Sequence, residues 1–208
     1  MMKKIFIIIL PFLFISCHKD KEIRYDKFSQ TTLDYVNFKP GSLWVYKDSV
    51  SGYLDSIRVN STILEKRHHG QITSMDVSYD YDYLRIDYNN NFYKLLNESM
   101  SGQSFLSRYY NCDSINVSYP LYQENFMVVG SVTNSGDHPQ TRTIKAFYNQ
   151  FQVQNHTFTN VYIIKITDGE TDRTIDYYLS CNVGIIKKIV CTTDSTKTWD
   201  LINWNVIQ

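Results

Sequence analysis

The sequence predicts an all-β fold: a single antiparallel domain built on a curved sheet or half-barrel, with a β-sandwich as the alternative. Three observations predict it. The chain has 17 tyrosines and 11 phenylalanines but only 8 glycines, a composition that favours strands over disorder. Apolar and polar residues alternate with period two in many short segments. Turn signals recur about every eight to twelve residues, which is typical of a sandwich or barrel.

The first segment, residues 1–16, has the features of an export leader. Lys3 and Lys4 precede an apolar run that ends at Ile15. This run of about eleven residues is too short to span a bilayer, which takes roughly twenty. Residues 13–17, Leu-Phe-Ile-Ser-Cys, resemble a bacterial lipobox. The resemblance implies that Cys17 becomes the diacylated N-terminus, whereas the alternative is an ordinary signal peptide with an incidental cysteine.

The residues that follow Cys17 bear on location. Residues 19–22, Lys-Asp-Lys-Glu, resemble the charged signal of surface-exposed lipoproteins of Bacteroidetes-type bacteria, and a plain hydrophilic spacer is the alternative. The resemblance implies an outer-membrane protein that is held by its lipid and exposed at the cell surface. Residues 17–36 are charged and polar and show no apolar face, so we expect a flexible tether there and the β domain at 37–208.

Charge excludes one class of partner. Removal of the 16-residue leader from the 208-residue chain leaves 192 residues, enough for one domain with a proper core. The whole chain has 21 basic and 21 acidic residues, and loss of Lys3 and Lys4 takes the formal charge to −2. Because no basic excess remains to neutralise phosphates, we expect no nucleic-acid partner.

The strands follow from alternation between turn signals, and no long segment has the 3.6-residue period of a helix. A short helix near 121–125 and polar loops at 97–103 and 134–140 are expected. A hairpin tip is expected at 168–172. The predicted strands are 42–49, 53–60, 62–67, 71–79 continuing through the alternating Tyr79–Tyr83, 92–96, 104–110, 115–119, 126–133, 142–149, 151–154, 157–167, 173–180, 185–191 and 198–206.

Both ends of the domain resemble a known group. Residues 38–46, Phe-Lys-Pro-Gly-Ser-Leu-Trp-Val-Tyr, resemble the opening strand of many uncharacterised Bacteroidetes-type surface lipoproteins. Tyr177-Tyr178, residues 183–188 and residues 199–201 resemble their closing hairpin and last strand. The resemblance implies a calycin-like or lipoprotein-carrier-like β domain, a family that rarely has an assigned activity.

Aromatic residues are the candidate ligand contacts. Tyr79, Tyr81 and Tyr83 alternate with Asp80 and Asp82, which predicts one aromatic and one wet face. We expect these tyrosines, together with Trp44, to face an apolar or glycan ligand on a concave sheet. The function predicted is therefore a non-catalytic ligand-binding or envelope-associated module anchored to the membrane.

Two other functions compete with this one. A surface hydrolase would use Asp80 and Asp82, with Asp76 as a further acid. An accessory subunit of a surface complex would use exposed tyrosines as anchors for its partner. The sequence contains none of the common nucleophile, zinc-protease, phosphate-loop or dinucleotide motifs, so we predict no catalytic residues and no cofactor.

No metal site is predicted either. His68 and His69 are neighbours that would point to opposite faces of a strand and so cannot easily share one metal. Asp168, Glu170 and Asp172 lack the full calcium loop and fit a hairpin tip better.

Cysteines and serines complete the candidate residues. Cys112, Cys181 and Cys191 form an odd set. A bridge between Cys181 and Cys191 within their hairpin would have to span too many residues, while a bridge from Cys112 to either stays open. Aspartate-serine pairs followed by an apolar residue or threonine resemble the O-glycosylation site of Bacteroidetes-type exported proteins. The resemblance implies glycans on one or more of Ser49, Ser56, Ser114 and Ser195.

Overall fold

A computed structural model describes residues 23–70, 78–90, 95–102, 106–112, 115–122, 127–134, 140–169 and 172–208. It confirms the predicted fold class: the domain is all-β, with one curved sheet that does not close and one short helix. The elements are β1 (Arg24–Asp26), α1 (Gln30–Val36), β2 (Leu43–Asp48), β3 (Leu54–His69), β4 (Tyr79–Asn90), β5 (Leu95–Ser101), β6 (Leu106–Cys112), β7 (Ile115–Tyr122), β8 (Val132–Asn134), β9 (Gln140–Val153), β10 (His156–Asp168), β11 (Thr174–Ser180), β12 (Gly184–Cys191) and β13 (Thr196–Asn205).

The sheet consists of two meanders joined at one seam. Its order is β7-β6-β5-β4-β3-β2-β13-β12-β11-β10-β9-β8, so strands that lie side by side in this order are also neighbours in sequence, except where β2 meets β13. These pairs are antiparallel, whereas β1 lies parallel to the start of β4. The two ends of the sheet approach each other where Nε–H of Arg142 in β9 donates to the carbonyl oxygen of Leu121 in β7, at 3.1 Å.

The core lies on the inner face of the sheet, which carries Trp44, Tyr46 and Ile57, and α1 packs against it. The ring of Tyr35 in α1 stacks on Tyr122 with centroids 5.1 Å apart. Its hydroxyl donates to the carbonyl oxygen of Asn160 at 2.8 Å. The helix therefore connects both meanders.

The first correction concerns the tether expected over residues 17–36. From Arg24 onward the structure places these residues in β1 and α1, and Phe28, Tyr35 and Val36 are buried. The helix starts because the Ser29 side chain accepts the backbone N–H of Thr32 at 2.9 Å. Only seven residues long, it repeats its apolar positions too few times for the 3.6-residue period to be visible.

The second set of corrections concerns strand boundaries. The strands predicted at 53–60 and 62–67 are one strand, β3, and those at 142–149 and 151–154 are one strand, β9. The loop predicted at 97–103 is wrong, because residues 97–101 belong to β5. The helix predicted near 121–125 is wrong at its start, because Leu121 and Tyr122 end β7. The strand predicted at 126–133 reduces to β8, and the strand predicted at 71–79 lies mostly outside the described residues.

The turn ends of β9 and β10 form an arm, residues 147–160, that extends beyond β11. Asn160 has a φ of 52° at the base of the arm. The arm packs against the sheet through Phe151 on Tyr178 and Phe158 on Trp204, with centroids 5.1 Å apart in both pairs. Since Tyr178 points away from its inner-face neighbour Tyr177, the arm covers the outer face of the sheet.

Candidate functional site

The predicted aromatic ligand face is filled by the protein itself. Trp44 is buried, and its Nε1–H donates to the carbonyl oxygen of Val183 at 2.6 Å. The cavity that Trp44 lines with Tyr35 and Phe38 has a volume of about 20 Å³, which is room for one water molecule. Ligand pockets usually measure about 300–1,000 Å³. Trp44 is therefore a core side chain that packs with α1 and Phe38, and the cavity beside it is smaller than a usual ligand pocket.

The three tyrosines of β4 lie elsewhere. Trp44 is paired with Ile57, and Ile57 with Asn90, at the opposite end of β4 from Tyr83. Seven strand residues separate Asn90 from Tyr83, roughly 20 Å. Tyr79, Tyr81 and Tyr83 are half-buried. The structure thus does not bring the predicted ligand aromatics together.

These tyrosines already have neighbours from the chain. Tyr79 contacts Tyr81, with centroids 5.8 Å apart, and its ring stacks with that of His69 at 5.0 Å. The guanidinium carbon of Arg67 lies 3.4 Å from the centre of the Tyr83 ring.

Asp80 and Asp82 hold neighbouring segments in place. Asp80 contacts Lys66 at 2.5 Å and His68 at 2.8 Å, and these hydrogen bonds, the one to Lys66 foremost, lower the pKa of Asp80. Asp82 accepts the hydroxyl of Tyr25 at 2.5 Å and the backbone N–H of Phe28 at 2.8 Å. Asp82 thereby ties the segment before α1 to the sheet, while Asp76 lies outside the described residues.

The other predicted residues are placed as follows. His68 turns to Asp80 and His69 to Tyr79, in line with the expected opposite faces. The hairpin tip after Asp168 is confirmed, since the backbone N–H of Asp168 donates to the carbonyl oxygen of Arg173 at 2.9 Å. In the described ranges, no three His, Cys, Asp or Glu side chains are grouped so as to hold a metal ion.

The candidate modification sites are exposed where they are described. Ser49 lies in the turn after β2, Ser56 on β3 and Ser195 in the turn before β13, and all three are exposed. Cys17, Ser114 and Glu170 lie outside the described residues. Cys181 and Cys191 are free thiols.

A pocket that the sequence did not predict lies at the β12–β13 turn. We call it the basic pocket. Its volume is about 330 Å³, and its lining comes from the ends of β11, β12 and β13 and the turn between the last two: Arg173, Lys188, Val190, Thr192, Ser195, Lys197 and Trp199.

Strand register builds this pocket. Lys188 lies opposite Trp199, and Val190 lies opposite Lys197, so each pair sets a lysine beside an apolar side chain on one face. Lys188 also lies opposite Tyr177, and its Nζ is 5.7 Å from the centre of that ring. Since Tyr177 and Trp199 are buried, the basic pocket continues the inner face beyond the core.

Two of the three cations of the basic pocket lie near carboxylates. Lys188 is only 5% exposed, and its charge acts to lower the pKa of Asp55. Burial outweighs this effect, so that the pKa of Asp55 is raised. Lys197 acts on Asp48, although the pKa of Asp48 is lowered chiefly by the hydrogen bond from the Ser51 hydroxyl.

Arg173 is the third cation. Its Nε–H is buried and donates to no acceptor among the residues that the structure describes.

A second hollow, the outer pocket, lies between the arm and the sheet. Its volume is about 390 Å³, and it is lined by Lys47, Ser49, Gln154, Asn155, His156 and Ile202. Beside it, Asp200 accepts the Gln154 amide at 2.8 Å and pairs with Lys187 at 3.1 Å. Apart from half-buried Ile202, its lining side chains are exposed, whereas the basic pocket has a buried floor.

One sequence signal points to the basic pocket. Ile186, Lys188 and Val190 occupy alternate positions of β12 and therefore share a face. A lysine between two branched apolar residues on a buried face is uncommon, because burial of an ammonium group is costly unless it is paired.

Comparisons with known proteins complete the description. No family model matches the chain, and no curated protein matches it. Among the described residues, no helix has the length and apolar character needed to cross a membrane.

Several solved structures are similar to this chain, including the following two. One is a "putative lipoprotein" from Parabacteroides distasonis ATCC 8503, with a TM-score of 0.37 and 13% identity over 80% of this chain and 96% of that one. The other is a "putative exported protein with YmcC-like fold" from Bacteroides fragilis NCTC 9343, with a TM-score of 0.38 and 9% identity over 81% of this chain and 98% of that one.

Proposed function

We propose that this protein is a non-catalytic binding module, anchored by a lipid on Cys17 to the outer membrane and exposed at the cell surface, and that the basic pocket is its ligand site. The observation that carries this proposal is the contrast between two spaces on the inner face. The aromatic interior holds about 20 Å³, whereas the basic pocket holds about 330 Å³. The second value falls within the usual size range of ligand sites.

The buried charge favours the basic pocket over the outer pocket. Lys188 is 5% exposed. A buried ammonium group departs from the apolar pattern expected of a core strand, and such departures are expected at functional sites. The outer pocket contains no comparable group in its lining.

The position of the proposed lipid anchor also supports the basic pocket as the ligand site. Five residues lie between Cys17 and Ile23, so the start of the described domain lies within roughly 20 Å of the lipid. β1 pairs with the part of β4 that lies beside Arg67–His69. The basic pocket lies beside the other end of β3. There the backbone N–H of Ser49, in the β2–β3 turn, donates to the carbonyl oxygen of Thr198 in β13. The 16-residue β3 spans roughly 50 Å, which separates the pocket from the anchored end.

The anchor is tested by mass spectrometry of protein isolated from its native host. We expect an N-terminal peptide that begins at an acylated Cys17, and a Cys17→Ala variant that leaves the membrane fraction. Cys181→Ala is the matched control, since it removes a free thiol and leaves the anchor. Wild-type protein that keeps its leader, or that starts without acyl chains, would contradict the proposal.

The ligand site is tested by native mass spectrometry of the full lipoprotein purified in detergent from its host. We expect wild-type protein to carry a small non-covalent molecule that the pocket-filling variant Val190→Trp has lost. Ile202→Trp, which fills the outer pocket, should retain the molecule. Retention by Val190→Trp, or wild-type protein that carries nothing, would refute the assignment.

The hydrolase is not proposed, because Asp80 and Asp82 already bind Lys66, His68 and the segment before α1. Membership of a surface complex is the second candidate. It is favoured by Val50, Tyr53 and Leu54 at the β2–β3 turn, which are 81%, 64% and 61% exposed. Joint replacement of these three by serine should abolish co-purification of a host partner if the turn is an interface.

A further inference from the structure

We infer that the basic pocket binds an oxyanion, the carboxylate, sulfate or phosphate group of a small ligand. This inference deepens the proposed function and rests on it. It assigns the charge of the ligand, which the proposal of a binding module leaves open.

Cations from three segments of the chain converge on the basic pocket. Arg173 precedes β11, Lys188 lies within β12 and Lys197 within β13, yet all three line one pocket. Like charges repel, so such a group is favoured only when opposite charge lies among its members. The protein supplies part of that charge through Asp55 and Asp48, each of which acts on one lysine.

Asp48, the carboxylate on which Lys197 acts, serves the protein's own turn. It accepts the backbone N–H of Val50 at 3.1 Å and the hydroxyl of Ser51 at 2.6 Å, both in the β2–β3 turn. Lys197 itself is exposed where it lines the pocket, so its charge can attract an anion there.

Arg173 carries a hydrogen-bond donor that no described residue accepts. Its buried Nε–H meets no acceptor in the described part of the chain. A buried donor without a partner is costly, and guanidinium groups bind oxyanions through several parallel hydrogen bonds. An oxyanion in the basic pocket would supply the acceptor.

The β12–β13 turn adds uncharged hydrogen-bond donors. Oγ1 of Thr192 and Oγ of Ser195 lie 3.0 Å apart, and the backbone N–H of Thr192 donates to the carbonyl oxygen of Ser195 at 2.8 Å. This turn fixes two hydroxyl groups at the rim of the pocket beside Lys197. An oxyanion accepts hydrogen bonds from hydroxyl groups and cations alike.

The experiment titrates the full lipoprotein in detergent with sodium phosphate, sodium sulfate or sodium acetate at low ionic strength, with heat of binding as the readout. We expect saturable binding of at least one of these anions, and their order of affinity identifies the group that the pocket prefers. Arg173→Gln and Lys197→Gln should each weaken that binding about tenfold or more, because each removes a charged hydrogen bond.

Two matched controls separate a site from general attraction. Arg58→Gln removes an exposed arginine of β3, and Lys47→Gln removes a lysine of the outer pocket. Both should bind the anion as wild type does. Equal weakening by Lys47→Gln and Lys197→Gln would show attraction by net charge alone and overturn the inference, as would the absence of saturable binding. Thr192→Ala, at an exposed turn position, provides a weaker variant if Arg173→Gln fails to fold.

The outcomes also separate this inference from the proposed function. If the Val190→Trp variant loses a bound molecule that proves to be uncharged, and no anion binds, the module stands and the oxyanion inference fails. If wild-type protein carries no molecule and no anion binds, both fail.

Discussion

Gly184, at the start of β12, is where a single methyl group should be most informative. Its φ is +88°, and a Cβ atom there would lie 3.1 Å from Cζ and 3.3 Å from Cε2 of Phe38. Phe38 is 4% exposed and packs edge-on against Trp44, with centroids 5.0 Å apart. Because Trp44 is held in turn by its hydrogen bond to Val183, the Phe38 ring has little room to move.

Two costs add in Gly184→Ala. A left-handed backbone costs a non-glycine residue about 1–2 kcal/mol. Overpacking of a core by one methyl group costs about 1–3 kcal/mol more. We therefore expect the free energy of unfolding to fall by about 2–5 kcal/mol. The melting temperature should fall by roughly 2–4 °C for each kcal/mol in a domain of this size.

Gly130 provides the control that separates the two costs. Its φ is +86°, nearly the same, but no heavy atom lies within 4 Å of the position of an added Cβ. Gly130→Ala should thus show the backbone cost alone. Urea unfolding followed by tryptophan fluorescence measures both variants, and the difference between them should be about 1–3 kcal/mol. Equal losses for the two variants would refute the argument that Phe38 is immobile.

Three further predictions follow from buried or paired charges. Arg142→Ala should lower the free energy of unfolding by about 3–5 kcal/mol, because it leaves a cavity and the buried carbonyl of Leu121 without its donor, and calorimetry measures this. Asp82→Ala should release the segment before α1, seen as faster hydrogen exchange at the amide of Phe28 while core amides keep their protection. The folded pKa of Asp80 is lowered, so its contribution to stability is present above its unfolded pKa and is lost as the pH falls through the folded value. Asp80→Asn should therefore reduce the loss of stability on acidification below about pH 5, and an unchanged slope would contradict the ion pair.

Local alternation was enough to predict much of the sheet. The strands β11, β12 and β13 were predicted to within a few residues, because turn signals bound each of these apolar and polar segments. Alternation fails where the chain slips by one residue. The register of β3 against β4 shifts between Val59 and Ser61, and this irregularity looks like a break between two strands when only the sequence is read.

The polar strand β5 and the short helix α1 were not predicted, for a different reason. β5 buries Glu98 together with Met100, and the Glu98 carboxylate accepts the hydroxyl of Tyr88 at 2.5 Å. Because an acidic residue lies on its buried side, the sequence of β5 has the pattern of a polar loop. The helix α1 is set by one capping serine and by contacts with Tyr122 and Asn160, far along the chain. Such long-range contacts are not encoded in any local period.

The candidate site was hidden because it depends on register. Arg173, Lys188 and Lys197 lie nine or more positions apart in sequence, and only the pairing of β11 with β12 and of β12 with β13 brings them together. The predicted ligand aromatics show the limit of a pattern within one strand. Its tyrosines share a strand, but the curvature of the sheet and the position of α1 decide which space stays open.

The seam between β2 and β13 has a consequence for how the protein matures. Each meander is built from pairings that are local in sequence and can form quickly, but the partner of β2 is β13, which lies beyond both meanders in sequence. Until β13 pairs with it, β2 presents an open edge, the kind of surface on which chains associate with one another. A folding molecule would therefore need shielding until that seam closes, and removal of the ten residues of β13 should cause aggregation even though every other strand is intact.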